Sequence, residues 1–383
     1  LDPKVLKTIR VRFKTREERC EISAGAGIFD DLGRQAQRVL DPSTQKIAII
    51  SNPKVFALFG GEVAGALRKS GFMVCEWLMS DGERYKNLRT LANALEFLAR
   101  FNLERNDAVL SLGGGVVGDL AGLAAALHLR GVQLAHAPTT FLAQIDASIG
   151  GKTAVNTKVG KNSIGAFHQP VAIWIDTTTL NTLPRRELTS GWCEALKQGA
   201  AGSGVLFRDT YQFLEAAQVS KTTAVPSPPI LLAHCRFKAN IVSRDQREDP
   251  NRVDHKSRRI LNFGHTTAHA LETVTGYRRF RHGEAVGHGM IVAGEISARL
   301  GLLPASELEL LRAAVRLCGR LPRADEVDVA KIIDALTHDK KRRHGEAQWV
   351  LLERVGRARI VAGREVSRRL LRASLEAGLQ PLD

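Results

Sequence analysis

The first clear pattern in the chain is Lys46-Ile47-Ala48-Ile49-Ile50-Ser51, an apolar run too short for a helix and continuous enough for a strand covered on both faces. Val55 to Lys69 follows with apolar residues at helical spacing. The alternation then repeats. Phe72-Met73-Val74-Cys75-Glu76-Trp77 reads as a strand and Asn87 to Phe101 as a helix. Asp107-Ala108-Val109-Leu110-Ser111-Leu112 reads as a strand that runs through glycines into a helix, Leu120 to Arg130. Val132 to Ala137 and Val171 to Ile175 continue the series, and Thr8 to Ile22 reads as two strands of a hairpin. Strands alternating with helices predict a mostly parallel sheet with helical crossovers.

The texture changes after Leu183-Pro184: helical periodicity dominates, and strand signals return only at Gln348 to Leu352. The expected organisation is an α/β N-terminal domain, 1–184, with a mostly parallel Rossmann-like sheet, followed by a mostly α-helical C-terminal domain, 185–383. Val219 to Pro229, rich in Ser, Thr and Pro, is expected as a surface loop. No run of about 20 apolar residues predicts a membrane span. Leu1-Asp2-Pro3-Lys4 does not have the basic-then-apolar pattern of a secretion signal. The five cysteines are scattered and form no CxxC pair, which points to a reducing cytoplasm. A formal charge of +15 raises the question of nucleic acid, but aromatic residues are only 5% and no RNA-binding or zinc-finger spacing occurs. A basic field that draws in a small, multiply anionic substrate fits better.

Gly113-Gly114-Gly115-Val116-Val117-Gly118-Asp119 satisfies G-x-G-x-x-G between a predicted strand and a predicted helix. Such a turn lets the backbone approach a pyrophosphate at a helix N-terminus, and it also fits a tight turn with no ligand. The acidic residue of a standard dinucleotide fingerprint is missing, because the next strand ends in Pro138-Thr139-Thr140. Glu83, in Asp81-Gly82-Glu83-Arg84-Tyr85-Lys86, is the best candidate for the ribose partner. Gln144 to Thr153, with Asn156 and Gly160-Lys161-Asn162, reads as a polar glycine-rich loop whose Lys152 and Lys161 suit anionic oxygens. Glu194 and Lys197 share a helix face, as do His265 and His269, and His282 adds a third imidazole. A carboxylate and two histidines from separate segments suit a divalent metal, although ordinary surface or core histidines would give the same spacing.

Taken in order, these segments resemble the dehydroquinate synthase family from about Ile47 to Ile360. The resemblance rests on Asp81-Gly82-Glu83 with Lys86, Gly113 to Gly122, Pro138-Thr139-Thr140, Gly150-Gly151-Lys152-Thr153, Gly160-Lys161-Asn162, Asn262 with Gly264-His265, His282-Gly283-Glu284-Ala285-Val286, and Asp339-Lys340-Lys341. It implies an NAD-dependent phosphate lyase that binds zinc or cobalt, acts on an anionic sugar acid phosphate and works as a homodimer in the shikimate pathway. It assigns the metal to Glu194, His265 and His282. It assigns NAD contacts to Asp81, Glu83, Lys86, Gly114, Gly115, Val116, Val117, Asp119, Thr139, Thr140, Thr179 and Thr182, and places Lys152, Lys161 and Asn162 where cofactor and substrate meet. Substrate contacts fall to Arg130, Asp146, Lys197, Lys238, Arg258, Asn262, His269 and one of Lys340 and Lys341. Two departures stand out: Cys193 beside Glu194, and a longer segment from Asp249 to Ser257. The competing readings are a sedoheptulose 7-phosphate cyclase of the same family, a metal-dependent polyol dehydrogenase, and an NAD-binding module without catalysis.

Overall fold

A computed structural model describes residues 18–158, 160–342 and 348–382, with the side chains of 338–342 outside that description. Six parallel strands form the main sheet: β1 (Glu21–Gly25), β2 (Lys46–Ser51), β3 (Met73–Leu78), β4 (Ala108–Gly113), β5 (Gln133–Pro138) and, after the hairpin of β6 (Lys152–Val155) and β7 (Ile164–Phe167), β8 (Ala172–Asp176). Their spatial order is β1-β8-β5-β4-β2-β3. The central strands β4 and β8 are buried along their whole length, as their unbroken apolar runs require. Crossovers run through α1 (Leu32–Val39), the short α2 (Pro53–Val55) leading into α3 (Gly61–Lys69), α4 (Leu88–Arg100) and α5 (Gly115–Leu127). Separate apolar clusters cover the two faces of the sheet, one around Phe29, Leu67 and Trp174, the other around Leu91, Leu98 and Leu120.

One expectation falls mostly outside the described residues and another needs correction. Of the N-terminal hairpin expected over Thr8 to Ile22, positions 8–17 lie outside the described residues; its last residues, Glu21 and Ile22, belong to β1 and pair in parallel with Ala172 and Ile173. The glycine-rich stretch after Gln144 is not one loop. Its second part is the antiparallel β6–β7 hairpin, which packs on α5, where a side chain on Gly122 would meet Thr153.

From Arg185 onward the chain is mainly helical: α6 (Arg185–Gly202), α7 (Gly204–Val219), α8 (Pro228–Arg244), α9 (His265–Val274), α10 (His282–Arg299), α11 (Ala305–Leu317), α12 (Val329–Arg342) and α13 (Arg368–Gly378), with the hairpin β9 (Gln348–Arg354)–β10 (Arg357–Ala362). Helices α6 and α10 are buried nearly all round and form the centre of a single large apolar cluster. Their approach depends on glycine. A side-chain carbon on Gly283 of α10 would stand 1.9 Å from Ser190 O of α6, and one on Gly289 would stand 2.0 Å from Gly264 O.

Candidate active site

The strand order turns back between β2 and β4, so crossovers leave the sheet in opposite directions there and open a crevice at its carboxyl edge. This topology gathers the residues that follow each strand: Asn52 after β2, Asp81 and Glu83 after β3, Gly114 and Gly115 after β4, Thr139 and Thr140 after β5, and Thr179 after β8. The glycine turn is tight. A side-chain carbon at Gly114 would lie 3.0 Å from Thr140 Cγ2, and one at Gly115 would lie 3.2 Å from Ala147 Cβ. Gly114 caps α5 without any side chain bonding the first amides, so the helix start offers free donors and the positive end of its dipole. Val116 and Val117 contribute backbone to this turn, and the Val117 side chain is buried under it. These features fit a pyrophosphate.

Beside the turn, the buried Lys86 ammonium sits 2.7 Å from Asp119 Oδ2, 2.6 Å from Asn162 Oδ1 and 3.5 Å from Glu83 Oε1. Burial works against the Glu83 carboxylate, but Lys86 and Lys161 hold its pKa below the usual range, so it stays an acceptor. Asn156 Nδ2 also donates to Glu83 Oε1 at 2.8 Å, and Asn52 Nδ2 to Asp81 Oδ1 at 3.3 Å. Thr179 is buried, donates to Asp176 O and accepts from Gln144 Nε2, while Thr182 is exposed.

The second group lies in the helical half. Glu194, His265 and His282 present ligand atoms that all lie within 4.8 Å of one another. Glu194 is fully buried, and neither carboxylate oxygen receives a hydrogen bond. Lys197 Nζ stands 2.5 Å from Glu194 Oε2, but off the direction of a hydrogen bond, so the contact is one of charge. A buried carboxylate in that state, with two imidazoles at 3.6 and 3.8 Å from its free oxygen, fits a divalent cation. His265 is kept neutral, as a ligand must be: burial depresses its pKa far below the ordinary value, and Lys197 adds to this. Local structure also sets the third member of the group, His282. Glu284 accepts from the Arg281 amide and from Arg186, which fixes the start of α10 and with it His282. Glu272 lies 3.4 Å from His282 Nδ1 and 3.3 Å from Lys161 Nζ, and so orients the ring from behind.

A third, cationic group adjoins the triad. Lys238 Nζ contacts Asp146 through both its carboxylate, at 2.7 Å, and its carbonyl. Burial opposes the charge on Asp146, yet Lys238 and Lys197 hold it far below the usual carboxylate range. Lys197 also keeps its proton, because Glu194 and Asp146 outweigh the effect of burial. Lys238 is brought down to about 8, chiefly by burial and with Arg258 and Lys197 adding to it. Arg258 is buried and donates to Gly150 O at 2.9 Å and Gln246 O at 2.7 Å. Glu248 pairs with Lys152 and accepts from Asn262 Nδ2 at 3.1 Å.

Most of the expected residues therefore fall into three adjoining sets. Lys161 joins the nucleotide side to the triad, and Lys197 joins the triad to Asp146. His269 stacks near both metal-type histidines, with ring centres 5.5 Å from His265 and 6.0 Å from His282. Arg130 is exposed at the far end of α5, in a left-handed kink with Leu129, and among the described residues no contact brings it to these sets. Lys340 lies in α12 among the residues whose side chains are outside the description. Sequence reasoning missed Glu248 and Glu272. Glu272 was recoverable, since 265, 269 and 272 share one helix face, whereas nothing local marks Glu248.

Comparison with known proteins matches residues 76–190 to the 3-dehydroquinate synthase N-terminal model and residues 191–342 to the 3-dehydroquinate synthase C-terminal model. This chain belongs to the 3-dehydroquinate synthase family. It is 39% identical over 345 residues to the 3-dehydroquinate synthase of Nostoc punctiforme, covering 89% of this chain and 92% of that one. It is 38% identical over 375 residues to that of Pelotomaculum thermopropionicum, covering 97% of each. Among solved structures it resembles a 2-deoxy-scyllo-inosose synthase complexed with carbaglucose-6-phosphate, NAD+ and Co2+, with a TM-score of 0.81 and 27% identity over 94% of this chain and 96% of that one. It also resembles a 2-epi-5-epi-valiolone synthase from Streptomyces hygroscopicus with NAD+ and Zn2+ bound, with a TM-score of 0.83 and 25% identity over 97% and 99%. Glycerol dehydrogenase from Schizosaccharomyces pombe, at 16% identity and a TM-score of 0.64, shares the fold.

Proposed function

We propose that this chain is a 3-dehydroquinate synthase, a lyase that converts 3-deoxy-D-arabino-heptulosonate 7-phosphate to 3-dehydroquinate and phosphate. Its cofactors are NAD and a divalent metal, zinc or cobalt. The carrying observation is the joining of Glu194, through Lys197 and Asp146, to a buried set of cations. An uncharged polyol would bring no anion to those cations, whereas a substrate with a carboxylate and a phosphate adds two anionic groups that match them.

In this reading Glu194, His265 and His282 hold the metal, and the turn at Gly114 and Gly115 with Thr139, Thr140, Asp81, Glu83, Lys86 and Asp119 holds NAD. When bound, the two supply polarisation of a substrate oxygen and a transient oxidation that is later reversed. Lys152, Asn162, Lys197 and Lys238 receive anionic oxygens, and Arg258 with Asn262 faces the carboxylate. Arg258 presents a fork whose Nη1 is already anchored to two carbonyls, so little freedom remains to be lost on binding. Asp146 keeps Lys197 and Lys238 in place while the phosphate leaves. His269 stands beside the two metal-side histidines and would contact a substrate oxygen.

The chain division is proposed at Pro184, with the nucleotide on 1–184 and the metal and substrate on 185–383. A cytoplasmic homodimer is the proposed working form. Among the described residues no helix is long and apolar enough to cross a membrane. The function is tested by supplying heptulosonate phosphate and sedoheptulose 7-phosphate side by side with catalytic NAD. Phosphate release and 3-dehydroquinate from the first, with no net NADH, are expected. Preference for the second, or stoichiometric NADH, overturns the proposal.

A further inference from the structure

A line of buried side chains with no part in the scheme above ends at the turn that carries Asp146. Residues Ala143–Ala147 are wound more widely than an α-helix, and three successive carbonyls of this turn have partners outside it. Each is taken by a side chain of the helical half. Gln144 O accepts from Cys235 Sγ at 3.3 Å, Ile145 O from Gln198 Nε2 at 3.0 Å, and Asp146 O from Lys238 Nζ. On its other side the turn meets the nucleotide-binding glycines, where Ala147 fills the space in front of Gly115. The turn is thus a wedge between the two halves of the site. Gln198 ties it to α6 one helical turn beyond Glu194.

What orients Gln198 can be worked out from the far end. Ile145 O only accepts, so the Gln198 amide must turn its NH2 toward it and its oxygen toward His234 Nδ1, 3.0 Å away. His234 Nδ1 must then carry the proton. Its other nitrogen, Nε2, lies 3.0 Å from Thr210 Oγ1. His234 is fully enclosed and burial holds its pKa down to about 3, so the ring is neutral and Nε2 is bare. Thr210 must donate to it, sharing its single proton with Leu206 O at 2.7 Å. All three side chains are fully buried. The order of donors is therefore fixed from Thr210 through His234 and Gln198 to Ile145.

We propose that His234 is a positioning residue for the reaction: through Gln198 it holds the 143–147 turn, and with it the Asp146 carboxylate, in register with Lys197 and Lys238. The proposal rests on the functional reading above, in which those two lysines meet the substrate. A shift of the turn by a fraction of an ångström would leave metal and NAD bound but misplace the cations, so the loss belongs in kcat.

The test compares Thr210→Val, Thr210→Ser, His234→Leu, Gln198→Leu and the double His234→Leu/Gln198→Leu in the metal- and NAD-loaded enzyme. His234→Leu and Gln198→Leu are each expected to lower kcat about tenfold, with metal and NAD affinity within about twofold of the parent. The double variant should be no worse than either single change. Thr210→Val should lose about threefold, while Thr210→Ser, which keeps the hydroxyl, should stay near the parent. Equal rates for Thr210→Val and Thr210→Ser, parental kcat in a folded His234→Leu, or multiplying losses in the double overturn the proposal. If His234→Leu does not fold, the Thr210 pair decides. Nitrogen-15 resonances of the parent's His234 ring should show the proton on Nδ1; a proton on Nε2 overturns the donor order whatever the substrate proves to be. A parent inactive on heptulosonate phosphate refutes the functional reading instead, and the ring resonances still judge the chain.

Discussion

Gly283 stands directly after the proposed ligand His282, and its amide donates to Ser190 Oγ at 2.9 Å, four residues before Glu194. An alanine there places its methyl 1.9 Å from Ser190 O, a backbone atom that cannot rotate away. Restoring a tolerable separation of about 3 Å or more requires the two helices to part by roughly 1 Å at the point where they carry two of the three ligands. Ligand bonds to zinc are about 2.0–2.2 Å, so a shift of this size removes one ligand from reach. Overpacking of this kind costs about 1–3 kcal/mol of stability, and metal affinity is expected to fall at least about tenfold. Cobalt titration of the metal-free protein, followed by visible absorption, reads the affinity directly. Gly65→Ala is the control: it lies inside α3 with nothing within 4 Å, so it should stabilise by about 0.5–1 kcal/mol and leave cobalt binding alone. Parental cobalt affinity in Gly283→Ala would refute the argument that this helix contact sets the ligand spacing.

Three further outcomes are expected. Arg258→Ala should lower kcat/KM for the heptulosonate by roughly 30-fold or more, as removal of one partner of a desolvated charge pair costs about 2–5 kcal/mol; Arg259→Ala, which loses only a bond to Pro250 O in the extended loop, should stay within about threefold. Because burial brings the folded Lys238 down to about 8 from an ordinary 10.5, its charge is lost as pH rises through about 8, so KM for the anionic substrate should climb there. The same shift means that folding pays for the buried charge below that pH and is relieved between about 8 and 10.5; Lys238→Met should abolish both trends in pH titrations of KM and of denaturant stability. Glu272→Gln should weaken cobalt binding by about 10- to 100-fold while leaving NAD binding within about threefold, as measured by dialysis.

Much of the α/β half was legible because buried parallel strands need unbroken apolar runs, and these appear at 46–51, 107–112 and 171–175 close to where β2, β4 and β8 form. Glu194, His265 and His282 were assigned by the family resemblance, since spacing alone offered His269 as readily as His265. The hairpin β6–β7 was hidden for a physical reason: its strands are only four residues each and partly covered by α5, and the segment joining them is rich in Asn, Lys, Thr and Gly, the composition of a loop. Glu248 could not be anticipated, since its partners Lys152 and Asn262 lie 96 and 14 residues away and its own left-handed backbone gives no sequence signal. The link between Gln198 and His234 spans 36 residues and joins buried side chains of two helices, so it too exists only in three dimensions.

The adjacent residues Lys161 and Asn162 face two different sites. Lys161 reaches Glu272, which steadies the metal-side His282, while Asn162 reaches Lys86 in the nucleotide set. The two sites therefore share one short stretch of backbone. Any coupling between metal and NAD that runs through this stretch must be equal in both directions, and Glu272→Gln, which cuts the contact to Lys161, is the change that would remove it.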